Sequence, residues 1–243
     1  MRIDQEAWKK NTTEQYEMLG RFVEAFELMV NEVRELCLFL AARDGRNAIL
    51  VQTILHHQVF TAKPLFDVLR ALIAEAIKDA LQEIEDRKNG VKNAEPPLLR
   101  DALNDPLPLT IQERDDLFSI LTFIAKHYDD LCNQRNDLLH GTWFVGYISE
   151  VNPHSAEFFI NRLKATKSGL SPVTGLPKTA AELKGLAERC EDVRLWIGFV
   201  EEVLKGDVTV SEAFKFDMKT WWLVVHPGEK RTLQAQAIAP PAQ

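Results

Sequence analysis

Four stretches in which apolar residues recur every three or four positions constrain this chain most. That spacing lines one face of a helix with apolar side chains, and such a face must be buried against another element. The first stretch carries Tyr16, Leu19, Phe22, Val23, Phe26, Val30, Val33, Cys37 and Leu40. Thr12 and Gln15 have the spacing of a capping box at its start, and Arg43-Asp44-Gly45-Arg46-Asn47 ends it. The second runs from about Ala48 to Arg87, through Ile49, Leu50, Ile54 and Leu55, then Phe66, Leu69, Leu72, Ile73, Ile77, Leu81 and Ile84. Pro64 falls inside it and predicts a kink or break near Ala62, because proline lacks the amide donor and crowds the preceding turn. The third opens on a clear capping box, Thr110 with Glu113, and carries Leu117, Ile120, Leu121, Ile124, Tyr128, Leu131 and Leu138. The fourth starts at Thr179 with Glu182, carries Leu183, Leu186, Ala187, Cys190, Val193, Ile197, Val200 and Leu204, and stops at Gly206-Asp207. The expected fold is all-α, a four- to five-helix up-and-down bundle.

Between the third and fourth helices the pattern changes. Trp143, Phe144, Val145, Tyr147 and Ile148 favour an extended segment, and Phe158, Phe159, Ile160 and Leu163 a second one, with Val151 to Ser155 as the turn. A small β-hairpin at about 143–166 is therefore expected before the last core helix. Lys167 to Pro177 is loop by composition, as is Asn89 to Leu109 with its four prolines. A short helix is expected through Ser211 to Phe216. Residues 1–216 are read as one helical domain and 217–243 as an extension, in which Trp221-Trp222-Leu223-Val224-Val225 forms a strand or packing arm before a disordered tail.

Bulk properties exclude several classes. A formal net charge of -7 is wrong for a broad, non-specific nucleic-acid surface, although it leaves room for a local basic site. Cys37, Cys132 and Cys190 are odd in number and lie in apolar helical settings, which favours reduced core thiols over disulfides or zinc. His56 and His57 are adjacent and have no partner at helical spacing, and His127 borders the apolar stripe, so none is assigned chemistry. No metal or cofactor is implied. No apolar run approaches the length of a membrane span and no signal peptide is evident, so the expected location is cytoplasmic.

The chemistry concentrates at Cys132 to Trp143, where the third helix runs out. Arg135 follows Leu131 by four residues and so sits on or near the inward stripe, where its charge needs a partner. It offers fixed N–H donors suited to a phosphate or a developing phosphorane. His140 titrates near neutrality if unperturbed. Asn136 can orient a phosphate oxygen, a ribose hydroxyl or the imidazole, and Asp137 can hold a basic group. On a regular helix positions 135 and 140 do not share a face, but Gly141 marks an end where distortion of the last turn would bring them together. Two readings stay open from the residues alone: a cap with a salt-bridge network, or a site for metal-independent RNA cleavage through the adjacent 2′-hydroxyl. Trp143 and Tyr147 are candidate base-stacking residues, and Arg162, Lys164 and Lys167 candidate backbone contacts. Packing of a covering strand and an ordinary solvated loop are the plainer alternatives.

Arg135-Asn136-Asp137-Leu138-Leu139-His140 resembles the R-N-x-x-x-H form of the HEPN-superfamily signature, on the penultimate core helix of a bundle. The resemblance spans about Thr12 to Lys205. It implies a metal-independent ribonuclease of the kind found in toxin–antitoxin systems, phage defence and RNA processing, whose two motifs meet across a homodimer interface. His140 would then transfer protons, Arg135 stabilise phosphate charge and Asn136 position the substrate, with Asp137 in support and an antitoxin or regulatory protein as a further partner. The family also contains non-catalytic members that dimerise or bind RNA, and a module of that kind is the alternative.

Overall fold

The computed structural model describes residues 5–43, 62–88, 109–139, 142–148, 156–161, 163–166, 169–172, 177, 179–217 and 220–223. The described chain is predominantly helical. Its elements are α1 (Gln5–Arg43), α2 (Ala62–Lys88), α3 (Ile111–Leu139), β1 (Thr142–Ile148), β2 (Ala156–Asn161), β3 (Leu163–Thr166), β4 (Gly169–Pro172), α4 (Ala180–Lys205), α5 (Val210–Ala213), β5 (Phe214–Asp217) and β6 (Thr220–Leu223).

The helices pack as a ring in the order α1, α2, α3, α4, with α1 and α4 the most extensively packed pair. Their apolar stripes form one core. Phe22, Phe26, Val30, Val33, Cys37 and Leu40 of α1 are buried, as are Phe66, Leu69, Ile73 and Ile77 of α2. The predicted stripes of α3 and α4 are buried throughout, and Trp196 and Val203 join that of α4. Tyr16 departs from the expected face and is 58% exposed. The neighbouring Gln15 takes the inward position instead, at 4% exposed, so the buried face of α1 is turned by one residue there.

Helix ends follow their caps where both partners are local. Thr110 N–H donates to Glu113 Oε2 at 2.9 Å and Glu113 N–H to Thr110 Oγ1 at 3.2 Å. Thr179 and Glu182 make the same reciprocal pair, and Gly206 closes α4 at φ 83°, a left-handed conformation that favours glycine. Thr209 and Glu212 form a further box at α5. The box expected at Thr12 is not formed. The helix is already running at Gln5, and the Thr12 hydroxyl instead donates to the Trp8 carbonyl at 2.8 Å, the back-bond of a threonine inside a helix. Pro64 lies in the first turn of α2, where a missing amide donor costs nothing. The upstream part of the expected second helix, with His56 and His57, lies outside the described residues, as does the stretch 89–108.

Helix directions follow from cross-helix contacts. Arg21 meets Glu191 at 3.1 Å, Gly198 lies beside the Glu32 carboxylate, and the Lys205 ammonium sits 5.3 Å from the Phe39 ring centre. Residue numbers rise together, so α1 and α4 run parallel. Against α3 they fall: Glu27 meets Arg135 while Arg34 and Cys37 lie by Tyr128, and Phe123 meets Trp196 while Asp130 meets Arg189. Because the chain between α1 and α2 lies outside the described residues, these directions hold for α1, α3 and α4 alone: α1 and α4 run one way and α3 the other.

The expected hairpin before the last core helix is β1–β2, antiparallel, with Thr142 opposite Asn161 and Ile148 opposite Ala156. One extra residue on β1 shifts the register between Phe144 and Tyr147. The hairpin lies against α1. A second one, β3–β4, occupies part of the stretch read as loop, and Leu163 belongs to it rather than to β2. Gly169 and Pro172 masked the strand in the sequence. Both stand at its ends, Gly169 opposite Thr166 and Pro172 opposite Leu163, and the terminal position of a strand tolerates a missing amide donor. Phe214 and Phe216 are likewise in β5 instead of a helix, with Trp221 opposite Phe216 and Trp222 opposite Lys215. The tail from 224 onward lies outside the described residues.

Tyr128 sits where three helices meet. It is fully buried, its ring is 5.0 Å from that of Phe66, and its hydroxyl donates to the Ala62 carbonyl at 2.8 Å. Burial holds its phenol well above the ordinary range. The three cysteines are free and buried, each thiol pushed up to about 12 by burial, as inert core thiols should be. Tyr128→Phe removes the hydroxyl that ties α3 to the Ala62 carbonyl at the start of α2 and leaves the ring contact with Phe66. It should cost about 1 kcal/mol in urea unfolding. An unchanged midpoint would mean that the hydroxyl contributes nothing.

Candidate phosphate-binding site at the end of the third helix

α3 stays helical through Leu139. At about 100° per residue, Arg135, Asn136 and Asp137 leave the helix in three directions. Arg135 turns toward α1. Its guanidinium lies over the Phe26 ring at 5.5 Å from the centre, and Nη2 donates to Glu27 Oε1 at 3.4 Å. The Nε atom is buried without a hydrogen-bond partner. The side chain as a whole is 29% exposed and that of Glu27 51%. A single long contact between groups this wet stabilises little, on the order of 0.2–1 kcal/mol. The arginine therefore lies on the buried Phe26 face and is loosely neutralised by Glu27, its one hydrogen-bond partner among the described residues.

Asn136 is exposed and Asp137 partly buried, and both have interactions of their own. His140 lies outside the described residues. Trp143 and Tyr147 are on β1, at register positions opposite Ile160 and Glu157. Lys164 is on β3 opposite Ser171. Arg162 and Lys167 lie outside the described residues.

Sequence reasoning missed the partners. Glu27 and Phe26 are more than a hundred residues from Arg135, and no local spacing connects them. The only available signal was negative: an arginine on an inward stripe requires an acid or an aromatic face from another element. A second cluster was also missed. His127, Phe123 and Trp196 pack ring to ring at 4.6–5.3 Å between α3 and α4. Beside them Arg189 donates to Asp130 at 2.6 Å, and Gln134 donates to the same carboxylate. The cluster is a packing seam capped by an ion pair, and its histidine titrates abnormally. Burial first, then Arg189 and Lys126, pull the His127 pKa down against the smaller opposing effect of Asp130.

No protein-family model, curated protein or solved structure matches this chain. No helix among the described residues is long and apolar enough to cross a membrane.

Folding lowers the His127 pKa, so as pH drops the unfolded chain, which protonates this imidazole at about 6.5, takes up the proton first. Between the folded and unfolded pKa values the unfolded state binds more protons, so stability falls as pH drops below that point. Urea unfolding at pH 7.5 and 5.5 should show this loss, and His127→Gln should reduce it. An equal loss in the variant would place the proton uptake elsewhere.

Proposed function

We propose that this chain is a HEPN-type endoribonuclease that works as a homodimer without a metal. The observation that supports this reading most is the seat of Arg135. The residue that opens the R-N-x-x-x-H motif lies over a buried aromatic ring near the end of a core helix, with a single long contact, to Glu27, among the described residues. A donor fork oriented in advance is what charge on a phosphate in transit requires.

In the proposed reaction a ribose 2′-hydroxyl attacks the adjacent phosphorus. The new bond is O2′–P and the broken one is P–O5′, leaving a 2′,3′-cyclic phosphate and a 5′-hydroxyl. His140 moves the proton, Arg135 takes up charge on the non-bridging oxygens, and Asn136 positions the substrate with Asp137 in support. Trp143, Tyr147, Arg162, Lys164 and Lys167 are the proposed RNA contacts. The biological role would be that of a toxin or phage-defence component, held in check by an antitoxin or regulatory protein in the cytoplasm.

The Arg135–Glu27 contact favours one alternative, a non-catalytic HEPN-like dimer that serves as an RNA-binding or regulatory module. There the same pair would be structural. The two readings separate in one assay on wild type and His140→Ala, with structured and unstructured RNAs in excess chelator. The ribonuclease reading expects cleavage by a wild-type dimer and a loss of at least about 100-fold in the variant, the usual contribution of a proton-transfer residue. A folded dimer that cuts none of the RNAs would overturn it in favour of the regulatory module.

A further inference from the structure

We infer that Glu27 is a built-in stand-in for the anion that Arg135 is meant to hold, and that it sets how readily the arginine takes a phosphate. This rests on the proposed reading of Arg135 as a phosphate-binding group, and it adds a residue that the motif does not contain.

Three observations carry it. The Glu27 carboxylate approaches the guanidinium through one oxygen at 3.4 Å and makes no bidentate fork. Arg–carboxylate pairs built for permanence engage both edges at shorter distances. The guanidinium plane is held by Phe26, which is itself 2% exposed, so the arginine keeps its place if the carboxylate leaves. Finally, half of the Glu27 side chain is in water, so its displacement exposes a group that is already largely hydrated. A phosphate brings more charge and more acceptor oxygens than the carboxylate and competes for the same donors. While Glu27 lies against the guanidinium, its negative charge weakens the pull of the site on anions in general. Glu27 is thus a positioning and tuning residue, separate from the groups that touch the substrate.

The test titrates inorganic phosphate into the full-length protein and follows the Arg135 Nε–H resonance by two-dimensional NMR, so that the readout is local. Three proteins are compared: wild type, Glu27→Gln and the double variant Glu27→Gln/Arg135→Gln. Removing an exposed competing charge should tighten phosphate binding about two- to five-fold. In the double variant that gain should vanish, as judged from the backbone amides of residues 26–27 and 134–136. Thermal melts of the same samples show whether folding is intact, and Glu27→Asp should behave as wild type if folding is affected by loss of the charge. Unchanged phosphate affinity in Glu27→Gln overturns the assignment, as does a gain that persists without Arg135, which would be a general charge effect. The outcome is independent of catalysis. A phosphate response without RNA cleavage keeps the role of Glu27 and removes the ribonuclease reading, whereas cleavage with no phosphate response does the reverse.

Discussion

The apolar stripe of α1 is the constraint on which the rest of the molecule depends. The helix is 39 residues, about 58 Å at 1.5 Å per residue, and every other long helix of the described chain packs against it. Its buried face from Phe22 to Ala41 is continuous, with Phe22, Met29, Val33, Leu36 and Cys37 wholly removed from water. α4 runs parallel along one side of this face and α3 antiparallel across from it. The β1–β2 hairpin, which follows α3 directly in the chain, lies against the same helix. A substitution that weakens the α1 stripe therefore acts on the core and on the candidate site at once.

The site inherits its character from that arrangement. Phe26 belongs to the core stripe and Glu27, one residue on, faces the rim, so adjacent residues of α1 supply a hydrophobic seat and a counter-charge to the same arginine. The chain is acidic overall, at -7, so its mean field already opposes anions, and the Glu27 carboxylate adds to that opposition at the arginine itself while leaving the guanidinium seated on Phe26. The seam between α3 and α4 shows the opposite solution. There Arg189 holds Asp130 at 2.6 Å, shared with Gln134, beside three packed rings, and the pair serves to close the bundle.

Helices were legible in the sequence to the extent that their signals are local. The boxes at Thr110 and Thr179 and the stop at Gly206 involve residues within one turn, and the structure forms each of them. Thr12 with Gln15 has the same spacing, yet it lies inside a helix that continues upstream, because a box is meaningful only where the helix actually begins. Short strands were read less well. Val145 and its aromatic neighbours announce β1, whereas Gly169-Leu170-Ser171-Pro172 has the composition of a loop and becomes a strand through pairing with Leu163–Thr166. Of the site, the need for a partner to Arg135 was visible, but the identity of that partner was not. Glu27 and Phe26 are set by how two helices cross, which is information that no window of sequence contains.

The central claim is that the motif at the end of α3 directs a ribose hydroxyl onto its own phosphate. The most direct measurement is the chemistry of the RNA ends produced by the purified protein in excess chelator, read by mass spectrometry. The account predicts 2′,3′-cyclic phosphate and 5′-hydroxyl ends, and no cut at a position whose 2′-hydroxyl is replaced by hydrogen. Products with 5′-phosphate ends, or cleavage of the deoxy-substituted position, would require water as the nucleophile and would contradict it.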